Sequence, residues 1–184
     1  MMICRFNIIF FSIFLIFASN IDAQSLVAVS TKYNDDFNNW YVYTDSTNLV
    51  GELNTRWAHK NNFAEWDYRI GEVTGMIREK WPGEAFQWDV RGGNEIITIQ
   101  SVYPRDYSEW RISFKDKTYQ IKPVYGKQWD EWQIVSKNGS FRIFTTREMD
   151  PRDWDIEDGL PDENIHVRMA LSFIVVYTAI VSNL

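Results

Sequence analysis

Apolar residues recur two apart along most of the chain, and the doublets themselves recur. Trp66, Trp88, Trp110, Trp132 and Trp154 stand 22 residues apart, with Trp40 26 residues before the first. Two positions after these five come Tyr68, Val90, Ile112, Ile134 and Ile156. Eleven positions after the first four come Ile77, Ile99, Ile121 and Ile143. The position nine after holds Gly75, Ile97, Tyr119 and Phe141, with the glycine departing from the column. Fifteen after stand Trp81, Tyr103 and Tyr125, and Arg147 breaks that series. Side chains two apart share one face of a β-strand. The interleaved Asp67, Arg69, Asp89, Arg111, Gln133 and Asp155 then form a solvated outer face.

Turn-forming segments separate the strands of each unit: Arg91-Gly92-Gly93-Asn94, Lys115-Asp116-Lys117 and Lys137-Asn138-Gly139. Gly and Asn-Gly supply the positive φ angles of tight hairpins. Between units, Trp81-Pro82-Gly83, Tyr103-Pro104 and Tyr125-Gly126 punctuate the chain. The pattern predicts strands over 26–31, 40–44, 49–55, 65–70, 73–79, 86–91, 95–101, 110–114, 118–123, 131–135, 140–145 and 153–156. Twelve strands joined by short connections form an antiparallel meander, which closes into a barrel or leaves exposed edges.

The periodicity stops after Asp158-Gly159-Leu160-Pro161. The stretch from Ile165 to Leu184 carries no charge beyond Arg168, and Ser172, Thr178 and Ser182 make no polar face. A helix apolar all round must be enclosed by protein or by lipid. Three readings compete: a helix threaded through the barrel, two further strands built from the β-branched residues, and a membrane anchor. The uncharged run is short for an anchor and lacks a basic flank, and it neither alternates nor contains a turn signal. The threaded helix, over 163–183 with Asp162 as its N-cap, is favoured.

Twelve strands in consecutive hairpins, a Trp-Asp-Ile-Glu-Asp strand (154–158) and a wholly apolar C-terminal helix together resemble the tubby C-terminal-domain superfamily. That group includes tubby-like proteins, LURP-one-related proteins and phospholipid scramblases. The resemblance covers about Leu26 to Leu184 and rests on pattern, with no diagnostic short motif. It implies an all-β fold with one helix, a closed barrel around it, and binding of lipid head groups through clustered Lys and Arg. The regular 22-residue period and the N-terminal leader described next depart from the familiar members.

Composition sharpens this picture in three places. Of 184 residues, nine are Trp, nine Tyr and twelve Phe, which excludes a disordered chain. Nineteen Lys and Arg against 25 Asp and Glu, a net charge of −6, speak against a nucleic-acid binder. Arg5, the apolar run Ile8 to Ala18 and the small residue Ala23 read as a secretory signal peptide over 1–23. Cleavage near Ala23 leaves a single domain over 24–184 and removes Cys4, the only cysteine. The expected location is secreted or periplasmic.

Candidate chemistry is sparse. His59 and His166 stand apart, and no serine-centred nucleophile motif, phosphate loop or metal-ligand spacing occurs. The acidic stretch from Asp150 to Glu163 does not match a calcium loop, and nothing pairs two carboxylates across a cleft. Neither catalytic residues nor a cofactor or metal is assigned. Aromatics placed to stack on a ligand are Trp57, Trp81, Tyr107 and Trp129. By the resemblance, Arg111, Lys115, Lys117, Lys122 and Lys127 are the nearest counterpart of an anionic-lipid patch, against the plainer reading of a solvated face. The leading expectation is an exported, non-enzymatic β-barrel that binds or scaffolds, at a membrane or lipid surface. The alternative is an exported carbohydrate- or small-ligand-binding hairpin repeat, and a weaker one is a hydrolase using acidic loop residues.

Overall fold

The computed structural model describes residues 24–46, 49–58, 62–134 and 139–183. Residues 1–23, expected to be a signal peptide, and His59 lie outside the described residues. Twelve antiparallel strands follow in order: β1 (Leu26–Tyr33), β2 (Asp36–Thr44), β3 (Val50–Trp57), β4 (Asn62–Ile70), β5 (Val73–Glu79) and β6 (Gln87–Gly92). Then come β7 (Glu95–Ser101), β8 (Trp110–Phe114), β9 (Lys117–Pro123), β10 (Glu131–Ile134), β11 (Ser140–Thr145) and β12 (Asp153–Gly159). Each strand pairs with its sequence neighbours, and β1 pairs with β12 through Ala28–Asp155 and Val29–Trp154, closing the barrel. The largest boundary differences from the expected strands are at β2, β4 and β12. These extend through polar residues such as Asp36, Asn62 and Asp158, which pair by backbone and carry no alternation signal.

Connections in such a barrel alternate between its two ends. One end carries tight turns, where Gly71, Gly93 and Lys115 each open a two-residue loop with positive φ. That is the pattern of type II′ hairpins, which match strand twist. The other end carries the longer connections after β1, β3, β5, β7, β9 and β11.

All six repeat tryptophans, Trp40 included, point inward and are fully buried, and all six lie on even-numbered strands. A buried indole N–H needs an acceptor. Five find it three residues upstream: Trp40 donates to Phe37 O, Trp66 to Phe63 O, Trp88 to Ala85 O, Trp132 to Trp129 O and Trp154 to Pro151 O, at 2.7–2.9 Å. Trp110 instead donates to Thr178 Oγ1 at 3.1 Å.

The C-terminal segment is a helix, α1 (Ile165–Asn183), inside the barrel, and residues 166–180 are buried throughout. Phe173 packs edge-on against Trp66 and Trp88, and Tyr177 against Trp88, with ring centroids 4.7–5.7 Å apart. The helix is long and apolar enough to cross a membrane, and protein encloses most of it. Its start differs from the expected one. Asn164 Oδ1 accepts the Val167 N–H at 2.9 Å and is the N-cap, whereas Asp162 adopts a left-handed φ of 52° before it. Glu163 precedes the helix and turns its carboxylate to Tyr119 and Lys117.

Two glycines explain where the inner wall departs from the repeat. Gly75 and Gly92 are partners across β5 and β6. A Cβ on Gly75 would stand 2.1 Å from the Tyr68 ring, and one on Gly92 would stand 2.2 Å from the His166 ring. The missing side chain in the Gly75 column is therefore space taken by Tyr68.

Arg168, the one charge in the helix interior, is 2% exposed and has three partners. Its Nε donates to Asp158 Oδ2 at 2.5 Å, Nη2 donates to Leu160 O at 2.6 Å, and Nη1 donates to Glu163 O. Asp158 also accepts the Leu26 and Leu160 amides, so both charges are fully engaged.

Removing residues 165–184 is expected to abolish folding, because no strand side chain replaces the helix. Circular dichroism melting checks this, and a sharp cooperative transition in the truncated chain would contradict it. Arg168→Ala strands a buried carboxylate and is expected to cost roughly 3–5 kcal/mol. Urea denaturation measures it, and a loss under about 1 kcal/mol would mean the pair contributes no more than an exposed one.

Candidate functional site

Three places on the molecule gather chemically useful groups. The first lies at the tight-turn end, where the helix enters. Tyr68 Oη and His166 Nδ1 share a hydrogen bond of 2.5 Å beneath Gly75 and Gly92. Burial pushes the Tyr68 phenol up and pulls the His166 imidazole down, the latter against a weaker opposing pull from Glu95. Glu163, also buried, accepts from Tyr119 Oη and from Lys117 Nζ. Burial first, then the Glu163 carboxylate, raises the Tyr119 phenol. A shallow recess of about 290 Å³ lies beside this cluster, between Glu95, Lys115, Lys117 and Asn164. Both of its lysines are already paired: Lys115 binds Glu95 at 2.7 Å and Lys117 binds Glu163 at 3.1 Å, while Asn164 Nδ2 donates to Glu95 at 2.5 Å.

The second is a groove of about 580 Å³ on the outer face of β3–β6, floored by Gly75 and Gly92. Arg56 holds Asp67 through two bonds of 2.9 and 2.5 Å, Lys32 holds Glu52 at 2.7 Å, and Arg91 leans on Asp89 at 3.4 Å. One lining atom, Asn54 Oδ1, is buried without a hydrogen-bond partner.

The third is the rim at the end with the longer connections. Tyr33, Trp57, Trp81, Tyr103, Tyr125 and Met149 are each 40–63% exposed, and each sits on, or ends the strand that enters, a different one of the six connections. The barrel is closed, so these residues form a closed ring. The other exposed large apolar residues among those described are Val27, Tyr41, Val50 and Ile96, none of them on this rim. Local chemistry keeps three of the six on show. Trp81, Tyr103 and Tyr125 each begin a turn whose first carbonyl accepts the fourth residue's N–H, at 3.0–3.2 Å. In Trp81-Pro82-Gly83-Glu84, Pro82 and the positive φ of Gly83 are those of a type II turn. Trp57 Nε1 donates to Glu65 at 3.1 Å. Among the described residues of these connections, five Lys and Arg stand against seven Asp and Glu, so the rim is not basic.

The residues expected to form sites divide by position. Trp57 and Trp81 stand on the rim. Tyr107 and Trp129 are half-buried three residues before Trp110 and Trp132, with ring centroids 5.9 and 5.5 Å from them. Tyr107 also stacks on Phe86 at 4.8 Å. The cations do not converge. Lys115 and Lys117 lie at the tight-turn end, Lys127 lies in a rim connection, and Arg111 and Lys122 lie on β8 and β9 between them. Tyr33, Tyr103, Tyr125 and Met149 were not expected as site residues. Tyr103 and Tyr125 carry a legible signal: the residue after each is Pro or Gly, which marks a turn start and hence an exposed ring.

Among the described residues, no three His, Cys, Asp or Glu side chains gather as a metal-holding group. No protein-family model, curated protein or solved structure matches the chain.

The His166 environment yields a pH dependence. Because the folded chain holds this imidazole below its ordinary value of 6.5, the unfolded chain takes up the proton first as pH falls. Stability is therefore expected to be full above about pH 7 and to drop toward pH 5. Urea midpoints across that range check this. His166→Gln should flatten the slope, and an unchanged slope in that variant would assign the dependence elsewhere.

Proposed function

We propose that the protein is an exported, non-enzymatic binding module that engages its partner rim-first, through the ring from Tyr33 to Met149. The observation that carries this is the placing of one exposed aromatic or Met on, or at the strand end entering, every connection at one end of the barrel. Exposed Trp and Tyr combine a large apolar face with a polar edge, which suits stacking or burial at an interface. Ordering them costs little here, because short hydrogen-bonded turns already hold Trp81, Tyr103 and Tyr125.

Tubby-like kinship is part of the proposal, supported by the twelve-stranded barrel with its central helix. Export rests on the leader pattern of residues 1–23. Binding at a lipid surface would, on this rim, proceed through aromatic side chains at the head-group level, since acids outnumber bases there.

The test uses the triple variant Trp81→Ala, Tyr103→Ala, Tyr125→Ala, none of which fills the core. Wild-type and variant protein are compared for flotation with phosphatidylcholine vesicles, with and without phosphatidylserine, and for retention on a glycan array. At least one of these probes is expected to bind the wild type and lose about tenfold or more in the variant. Undiminished binding by the variant, or no binding of any probe by the wild type, would overturn the proposal.

A further inference from the structure

Between the connection after β5 and the connection after β7 lies a groove of about 520 Å³. Its walls are the Trp81–Glu84 and Tyr103–Asp106 turns, and its lining includes Phe86, Gln87, Gln100 and Ser101. We infer that this groove is a saccharide-binding site, which names the partner of the rim and rests on the rim as the binding surface.

The argument is which polar groups remain to be used. Gln87 and Gln100 are directly opposed across β6 and β7, so their side chains leave the sheet side by side on the outer face. Among the described residues neither amide bonds to protein, and each offers two donors and an acceptor. Glu84 and Arg105, also in the lining and both exposed, form no ion pair among the described residues and cancel in charge. Ser101 Oγ donates to Tyr103 O at 3.0 Å and can still accept.

In the other two polar grooves the charges are largely spent on each other, as Arg56–Asp67, Lys32–Glu52, Lys115–Glu95 and Lys117–Glu163. The rim groove keeps its polar groups unspent. It also has flat apolar surface in the Phe86 ring, fixed by its stack on Tyr107, and the turns that Trp81 and Tyr103 begin supply Gly83, Glu84, Pro104 and Arg105 to its lining. A pyranose presents the complementary pair, a C–H face for a ring to stack on and adjacent hydroxyls that both donate and accept. Amides and a carboxylate read such hydroxyls, and a site without net charge favours a neutral sugar over an ion. The volume falls within the range of small-molecule pockets, roughly 300–1,000 Å³.

The full secreted chain is tested on an array of neutral oligosaccharides of glucose, mannose, xylose, galactose and N-acetylglucosamine. The best binder is then titrated calorimetrically. Gln87→Ala/Gln100→Ala and Trp81→Ala are expected to weaken it about tenfold or more, with Val50→Ala, exposed at the opposite end of the barrel, within about twofold. Raising salt to about 0.5 M should change little, since no ion pair is made. A blank array, or full affinity in the Gln87→Ala/Gln100→Ala protein, overturns the inference. A blank array together with phosphatidylcholine-vesicle binding that the triple rim variant abolishes rejects the saccharide while leaving the rim as the binding surface.

Discussion

A closed barrel of twelve strands is too wide for its own inward side chains to fill. Eight strands leave an interior that side chains alone can occupy, and each added pair widens it. Every inward choice in this protein answers that excess. The helix from Ile165 to Asn183 takes the axis, so it must be apolar on every side. Six indoles line the sleeve around it, and each brings an N–H into a dry space. Five meet that need within their own unit, at the carbonyl three residues upstream, so the walls add bulk without adding polar debt. Where the filling is locally too great, between Tyr68 and His166, the wall gives way to a glycine pair.

The same logic explains what could be read from the chain. Strand number, hairpin order and the inward tryptophans were legible because period-2 alternation and the 22-residue step report the inner face directly. The helix was legible because an uncharged run without alternation has few places to go. Less visible were features that depend on one element meeting a distant one. Gly75 showed only as a gap in a column, since its cause is the Tyr68 ring across the sheet. Arg168 showed as a charge at the edge of an apolar run, and its partner Asp158 passed as one more surface acid. The cap moved from Asp162 to Asn164 because the link from β12 makes a left-handed turn at Asp162 that the sequence does not announce.

The candidate site was legible in part. Trp57 and Trp81 are singled out by the sequence because they fall outside the 22-residue tryptophan series, in loops or at strand ends, and both stand on the rim. Tyr103 and Tyr125 are visible as a repeating column at the punctuation between hairpins, which does not by itself mark them as binding residues. A ring is a property of closure: Tyr33 and Met149 lie 116 residues apart in the chain and become neighbours on the rim only when β12 pairs with β1. The division between ends follows from the same topology. The tight-turn end uses its polar groups on one another, around Glu163, Arg168 and His166, and the far end leaves aromatic rings and amides turned outward.

Trp110 departs from the other five indoles, and its departure has a mechanical meaning. A rod that is greasy on all sides, held in a greasy sleeve, has no packing reason to prefer one azimuth over another. Directional bonds to the wall, the Tyr68–His166 bond among them, remove that freedom. Arg168 is keyed to Asp158 where the helix enters, and Thr178 is keyed to Trp110 nearly three turns further along. Together they index the rod against the strands at both ends, so that Phe173 and Tyr177 between them arrive at Trp88 and not at some other station of the sleeve.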